Sequence, residues 1–208
     1  MGRPETDQAL GLAMQVLGSG LLSADHNEEA LSVQEAEFFM LRRLGAIEQN
    51  ILAAQSNLAI SYERTERLDE AMRIRKAVYS GRLRLHGEEH IETLRAANNY
   101  AVSLNDLKHF GEARLLMRKW MPVARRVIGD NDRLMLKMRR LYAEALYRDD
   151  SATLDDLHEA ATTLEEAERI ARRVFGIAHP LVADFELVLR RAQAALRARE
   201  TPSPAESA

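Results

Sequence analysis

His86-Gly87-Glu88-Glu89-His90 is the segment of this chain whose residue types most directly suggest chemistry. It satisfies the pattern His-x-x-Glu-His, which on one continuous helix would set two imidazoles on a common face as zinc ligands. A second set is more dispersed: Ser56, Arg95, Asn98, Asn99, Asn105, Lys137, Arg140 and Tyr147. Amides that both donate and accept, beside cations that select acidic groups, suit the holding of an extended peptide. Nothing else offers a reaction. His26, His109 and His158 lack a serine or cysteine partner pattern, no glycine-rich phosphate loop is present, and the carboxylates are scattered along solvated faces. No catalytic residue, cofactor or enzyme activity is expected.

Which of these residues can act together depends on the elements that carry them. Gly45, Gly87 and Gly129 are spaced 42 residues apart, and Gly176 follows after 47, with the five extra residues falling in the polar stretch Arg148-Asp149-Asp150-Ser151-Ala152-Thr153. A fixed period of this length signals a repeat architecture. Within each period the apolar residues recur twice at helical spacing, so each unit is a helix pair: after Gly45, helix A spans roughly Ile47 to Arg64, Thr65-Glu66-Arg67 form a turn, and helix B runs from Leu68 to about Leu85. Glycine at the end of each B helix suits a cap that needs positive φ. Small residues keep the same phase: Ala59, Ala101 and Ala143 in the A helices, Ala71, Ala113 and Ala160 in the B helices, where they let paired helices approach closely. Pro122 falls inside a B helix and is expected to kink it near Trp120.

Composition agrees. The chain has 208 residues, 46% of them hydrophobic but only 5% aromatic, with 10 glycines and 5 prolines, a mixture that favours helix over sheet. It has no cysteine, which excludes disulfides and thiolate metal sites and fits a reducing, cytoplasmic setting. A formal charge of −3 argues against nucleic acid as the main partner. Neither an export signal nor a run of 18 apolar residues is evident, so membrane insertion is not expected.

The motifs at the repeat phase resemble tetratricopeptide repeats, and more closely the 42-residue variety of kinesin light chains. The residues that carry the likeness are the turns Gly87-Glu88-Glu89-His90 and Gly176-Ile177-Ala178-His179-Pro180, the elements Ser56-Asn57-Leu58-Ala59 and Asn98-Asn99-Tyr100-Ala101, and the helix starts Leu68-Asp69-Glu70-Ala71 and Phe110-Gly111-Glu112-Ala113. The likeness covers about residues 45 to 198 and departs at Gly129-Asp130-Asn131-Asp132, which lacks the histidine and proline, and at Arg140-Leu141, where asparagines are usual. It implies an all-α, right-handed α-solenoid of antiparallel helix pairs, about nine helices in all. The expected organisation is a divergent N-terminal capping helix pair over 1–45, three repeats over 46–176, a C-terminal capping helix with a polar outer face over 177–199, and a disordered tail over 200–208.

The repeat phase then sorts the chemistry. Gly87 is a turn glycine, so His86 and His90 flank a helix break and do not share a face; His90 has its counterpart in His179, as a turn residue would. Arg42, Arg84, Arg126 and Arg173 each precede a turn glycine by three residues, and a cation in the last turn of a helix interacts with the helix dipole by about 0.3–1 kcal/mol, which by itself could account for all four. The dispersed set survives. In stacked helix pairs of this kind the A helices line the concave surface, and the phases six before, three before and four after the small alanine give Ala53, Ser56 and Glu63, then Arg95, Asn98 and Asn105, then Lys137, Arg140 and Tyr147. With Arg64, Arg148, Asp106 and Glu144 at its borders, this stripe is mildly basic. The resemblance to kinesin light chains implies that Arg95, Asn98, Asn99 and Asn105 hold the main chain of a short peptide. The expected function is therefore a non-enzymatic protein-interaction scaffold that binds an extended, acid-flanked peptide in its groove. The alternative is a structural subunit that assembles through end helices or convex B-helix faces, which an exposed apolar patch on either would favour. The oligomeric state is not readable from the sequence.

Overall fold

The structure is a computed structural model that describes residues 4–201. Among the described residues there are nine helices and no strand: α1 (Pro4–Ser23), α2 (Asn27–Arg43), α3 (Glu48–Arg64), α4 (Leu68–His86), α5 (Ile91–Asp106), α6 (Phe110–Ile128), α7 (Arg133–Tyr147), α8 (Leu154–Phe175) and α9 (Pro180–Glu200). Among these residues the fold is all-α, built of antiparallel helix pairs. Thr201 caps α9, while Pro202, Pro204 and the rest of the expected tail lie outside the described residues.

The chain divides into two compact units, Met1–Gly87 and Glu88–Ala208. In the first, α1 pairs with α2 and α3 with α4, and α2 and α3 join the pairs. In the second, α5 pairs with α6 and α7 with α8; α7 also packs on α6, α5 and α9, so every residue from Leu141 to Leu146 is buried. The small alanines do what their phase requires. Ala59, Ala71, Ala101, Ala113, Ala143 and Ala160 are all 0% exposed, so each is enclosed in the packing between helices. Between them sit the bulky groups, Leu94, Leu104, Met117, Trp120, Leu136, Leu146 and Phe185. Pro122 stands inside α6, which nonetheless continues to Ile128.

Two kinds of turn set the geometry. The glycines that cap α4, α6 and α8 have φ/ψ of 82/−176° at Gly87, 79/167° at Gly129 and 84/155° at Gly176. This extended, positive-φ region is essentially closed to residues with a Cβ. Gly45 differs. There the Gly45 N–H reaches the Arg42 carbonyl at 3.2 Å and the Ala46 N–H reaches Leu41 at 3.0 Å, the paired bonds of a Schellman turn. The same pair of bonds closes the first helix of each of the first three helix pairs, α1, α3 and α5, without glycine: Asp25, Glu66 and Lys108 take φ of 63, 60 and 61°, and the next N–H bonds Leu21 at 2.9 Å, Tyr62 at 2.8 Å and Leu104 at 2.7 Å. In the fourth pair the five-residue insertion replaces this turn. Asp149 accepts from the Ser151 N–H and hydroxyl at 2.9 and 2.6 Å, Thr153 and Asp156 form a reciprocal capping box, and Arg199 of α9 donates to the Ala152 and Asp150 carbonyls at 3.0 and 3.2 Å.

Candidate functional site

His86 is the last residue of α4 and His90 is the N-cap of α5, with Gly87 ending the first helix between them. Each histidine therefore belongs to a different helix. The His90 Nδ1 accepts the Glu92 N–H at 3.1 Å, and His179 does the same for Leu181 at 3.1 Å, so both cap helix starts whose first N–H groups have no partner within the helix. Accepting at Nδ1 requires that nitrogen to carry no proton. In the repeat that lacks the histidine, Asp132 occupies the same phase and accepts the Leu134 N–H at 2.7 Å. The departure in sequence is thus a replacement of one acceptor by another. Among the described residues no group of three or more His, Cys, Asp or Glu is placed to hold a metal ion.

The four ladder arginines do lie in the last turns of their helices, and three of them have a partner beyond the helix dipole. Arg84 reaches Glu48 at the start of the paired α3. Arg126 reaches Glu89, just before the paired α5, at 2.6 Å, and Arg173 reaches Asn131, just before α7, at 3.0 Å. These three arginines each clasp the opening of the paired A helix. Sequence reasoning missed this because it compared arginines with one another and not with acceptors at the start of the paired helix; the fourth, Arg42, lies over the Phe38 ring of its own helix at 5.7 Å.

The A-helix stripe is clearest in the second unit, on α5 and α7. On α5 the residues that are not buried are Ile91, Glu92, Arg95, Asn99, Val102 and Asp106, and the last four lie about one turn apart along one face. Asn98 and Asn105, assigned to the stripe from the sequence, lie one position deeper. Asn98 is 6% exposed and its Nδ2 donates to Asn99 Oδ1 at 3.3 Å, while Asn105 is 1% exposed and its Nδ2 donates to the Leu141 carbonyl at 3.0 Å, tying α5 to α7. At the corresponding phases of α7, Arg140 and Tyr147 are only half-buried, because longer side chains extend past the helix contact that encloses a short amide. Lys137 is exposed, and Arg95 is exposed and pairs with Glu92 at 3.1 Å. In the first unit, Ser56 is half-buried; its hydroxyl bonds the Leu52 carbonyl at 2.7 Å and its own carbonyl accepts from Arg75 at 3.4 Å. Glu63, counted among the stripe's anions, is held by both Arg75 guanidinium donors at 2.9 and 3.0 Å.

Charge on the α5–α7–α9 face is organised around Arg140. Its guanidinium meets Glu144 at 3.2 Å and also Asp184 of α9. Asp184 was not recognised from the sequence, which read α9 as a cap alone. Burial pushes the Glu144 carboxyl above its usual value, against the pull of Arg140 and Arg148, and burial together with Glu144 raises the Tyr147 phenol, which therefore stays a neutral donor. Arg148 lies over the Phe110 ring at 5.2 Å. The stripe's outward cations are thus Arg95 and Lys137, with Arg140 held between two carboxylates. The face presents hydrogen-bond donors and cations interspersed with the carboxylates of Glu92, Asp106, Glu144 and Asp184, and no nucleophile stands beside a base on it.

Comparison with known proteins agrees with this architecture. Residues 50–126 match the tetratricopeptide repeat family and are repeats of that kind. The structure is similar to nearly identical kinesin light chain TPR-like repeats from Podosopora anserina, with a TM-score of 0.75 and 19% identity over 96% of this chain and 91% of that one. It is also similar to BtubC (BKLC) from P. vanneervenii, with a TM-score of 0.69 and 19% identity over 99% of this chain and 87% of that one. A double mutant of MamA RS-1 aligns at a TM-score of 0.53 and 13% identity over 93% and 98% of the two chains. No curated protein matches the sequence significantly. The resemblance to kinesin light chain-like tetratricopeptide repeats read from the sequence therefore stands, and it is a resemblance of repeat and fold.

Proposed function

We propose that this chain is a non-enzymatic adaptor, acting in the cytoplasm, that binds an extended, acid-flanked peptide across the A helices of its second unit. Tetratricopeptide repeats serve as protein-interaction scaffolds, and no helix among the described residues is long and apolar enough to cross a membrane. The observation that carries the finer reading is the pair Arg95 and Lys137: the same repeat phase, neighbouring helices, both exposed. Packed helices lie about 8–10 Å apart, roughly three residues of extended chain. A peptide crossing α5 and α7 would therefore meet the two cations with acidic residues about three positions apart. Asn99 and the Tyr147 hydroxyl supply polar contacts beside them, and Arg140 can exchange Asp184 for a ligand carboxylate. Asn98 and Asn105 support this site from within the helix packing of the second unit.

The test is fluorescence polarisation with a labelled peptide carrying glutamates at that spacing. Arg95→Glu and Lys137→Glu should each weaken binding by at least about fivefold, with a loss that shrinks at high salt. Unchanged affinity in both variants overturns the reading. The alternative, assembly as a structural subunit, is favoured by a separate surface on α1.

A further inference from the structure

Exposed helix faces are ordinarily polar, and α1 departs from that rule. α1 packs on α2 and along α3, yet its opposite face exposes Leu10, Leu12, Val16 and Leu17 by 50, 61, 65 and 53%. These residues flank an exposed line of Ala9, Ala13 and Gly20, and no charged residue occurs between Asp7 and Asp25. Gly20 adds a separate oddity. A Cβ built there meets nothing within 4 Å, so no contact inside the chain explains a residue that weakens the helix holding it. By contrast Gly11 and Gly18 face Met40 and Gln34. Clustered aliphatic exposure of this kind marks an interaction surface.

We propose that this face of α1 is a homodimer interface, occupied by the α1 of a second copy of the chain. Charge decides the occupant. A surface without charges is compatible with itself in an isologous, two-fold arrangement, since no like-charge pair is created when each residue meets its counterpart. Stacking α1 on α9 of a second copy would instead lay the aliphatic face on a helix that exposes Arg190, Arg191, Arg197 and Arg199 and would bury cations against leucine. A closed dimer follows, and an open filament does not. Antiparallel α1 helices would set Ala13 and Val16 near the two-fold axis with the leucines on either side, and Gly20 would let the backbones approach.

The experiment uses the full chain. Sedimentation equilibrium from about 1 to about 100 µM should show a monomer–dimer equilibrium, and Leu12→Glu with Val16→Glu should weaken it at least about tenfold. Both residues are exposed, so circular dichroism should show the helices retained. The chain has no cysteine, which allows a second readout: Ala13→Cys should give a disulfide-linked dimer on mild oxidation, whereas Leu187→Cys on α9 should not. A chain that stays monomeric throughout, or a dimer indifferent to the two glutamates, overturns the proposal; in the first case the face belongs to a helix of another protein.

Discussion

The Arg126 guanidinium and the Glu89 carboxylate meet at 2.6 Å, joining the last turn of α6 to the residue that precedes the N-cap of α5. The pairs Arg84–Glu48 and Arg173–Asn131 repeat that clasp, so three of the four ladder arginines join one helix to its partner. Arg126 and Glu89 are 61 and 66% exposed, which limits each pair to a small effect. A double-mutant cycle of Arg126→Ala and Glu89→Ala should return a coupling of about 0.2–1 kcal/mol in urea unfolding, falling with added salt. A dipole effect alone would give no coupling to Glu89.

Asn131 stands where the other two clasps have glutamate. Asn131→Glu should therefore stabilise the second unit by a few tenths of a kcal/mol through a charged partner for Arg173. Arg173→Ala should remove the gain, as read by thermal unfolding of the single and double variants.

The turn glycines separate into two classes that substitution can tell apart. At all four, an added Cβ would meet no atom within 4 Å, so any cost comes from the backbone alone. Gly129, at φ 79° and ψ 167°, occupies a region nearly exclusive to glycine, and Gly129→Asn should cost about 1–3 kcal/mol. Gly45, at φ 65° within a Schellman turn, should accept asparagine for less than about 1 kcal/mol. Equal losses in the two variants would refute the distinction.

Asp132 and His90 should be interchangeable as caps. Asp132→Ala removes the acceptor for the Leu134 N–H and should cost about 1 kcal/mol, whereas Asp132→His at neutral pH should retain most of it. Chemical denaturation of the two variants checks this. If both lose equally, the histidine of the repeat turn does something other than capping.

How far the sequence reached depends on what kind of information each feature needed. The repeat phase located the small residues, the helix pairs and the turn glycines, because a Cβ-free backbone or a close helix contact leaves one residue type at one position. It was blind to Asp25, Glu66 and Lys108, which adopt positive φ with ordinary side chains and so carry no signature. Of the candidate stripe, Arg95 and Lys137 are exposed and Arg140 is half-buried, whereas Asn98 and Asn105 are enclosed in the helix packing. A helix face is about 100° wide, and side-chain length decides which edge residues emerge. Asp184 and the arginine clasps were missed because a contact between helices is a property of two segments.

Glu37 provides the pH test. It is 4% exposed in α2, and its Oε2 is buried without a hydrogen-bond partner. Burial therefore raises its pKa above the ordinary 4.5. The sign follows from linkage: a carboxyl with a raised folded-state pKa favours the folded state while protonated, and this contribution is lost as pH rises through the folded value. At neutral pH the ionised group thus opposes folding. Glu37→Gln should raise the Tm at pH 7.5, and the difference from the parent chain should shrink on acidification and vanish once the medium lies well below 4.5. Thermal unfolding across that range measures it. A lower Tm for Glu37→Gln at neutral pH would mean that the carboxylate finds a cation when ionised, and a difference independent of pH would assign the effect to shape.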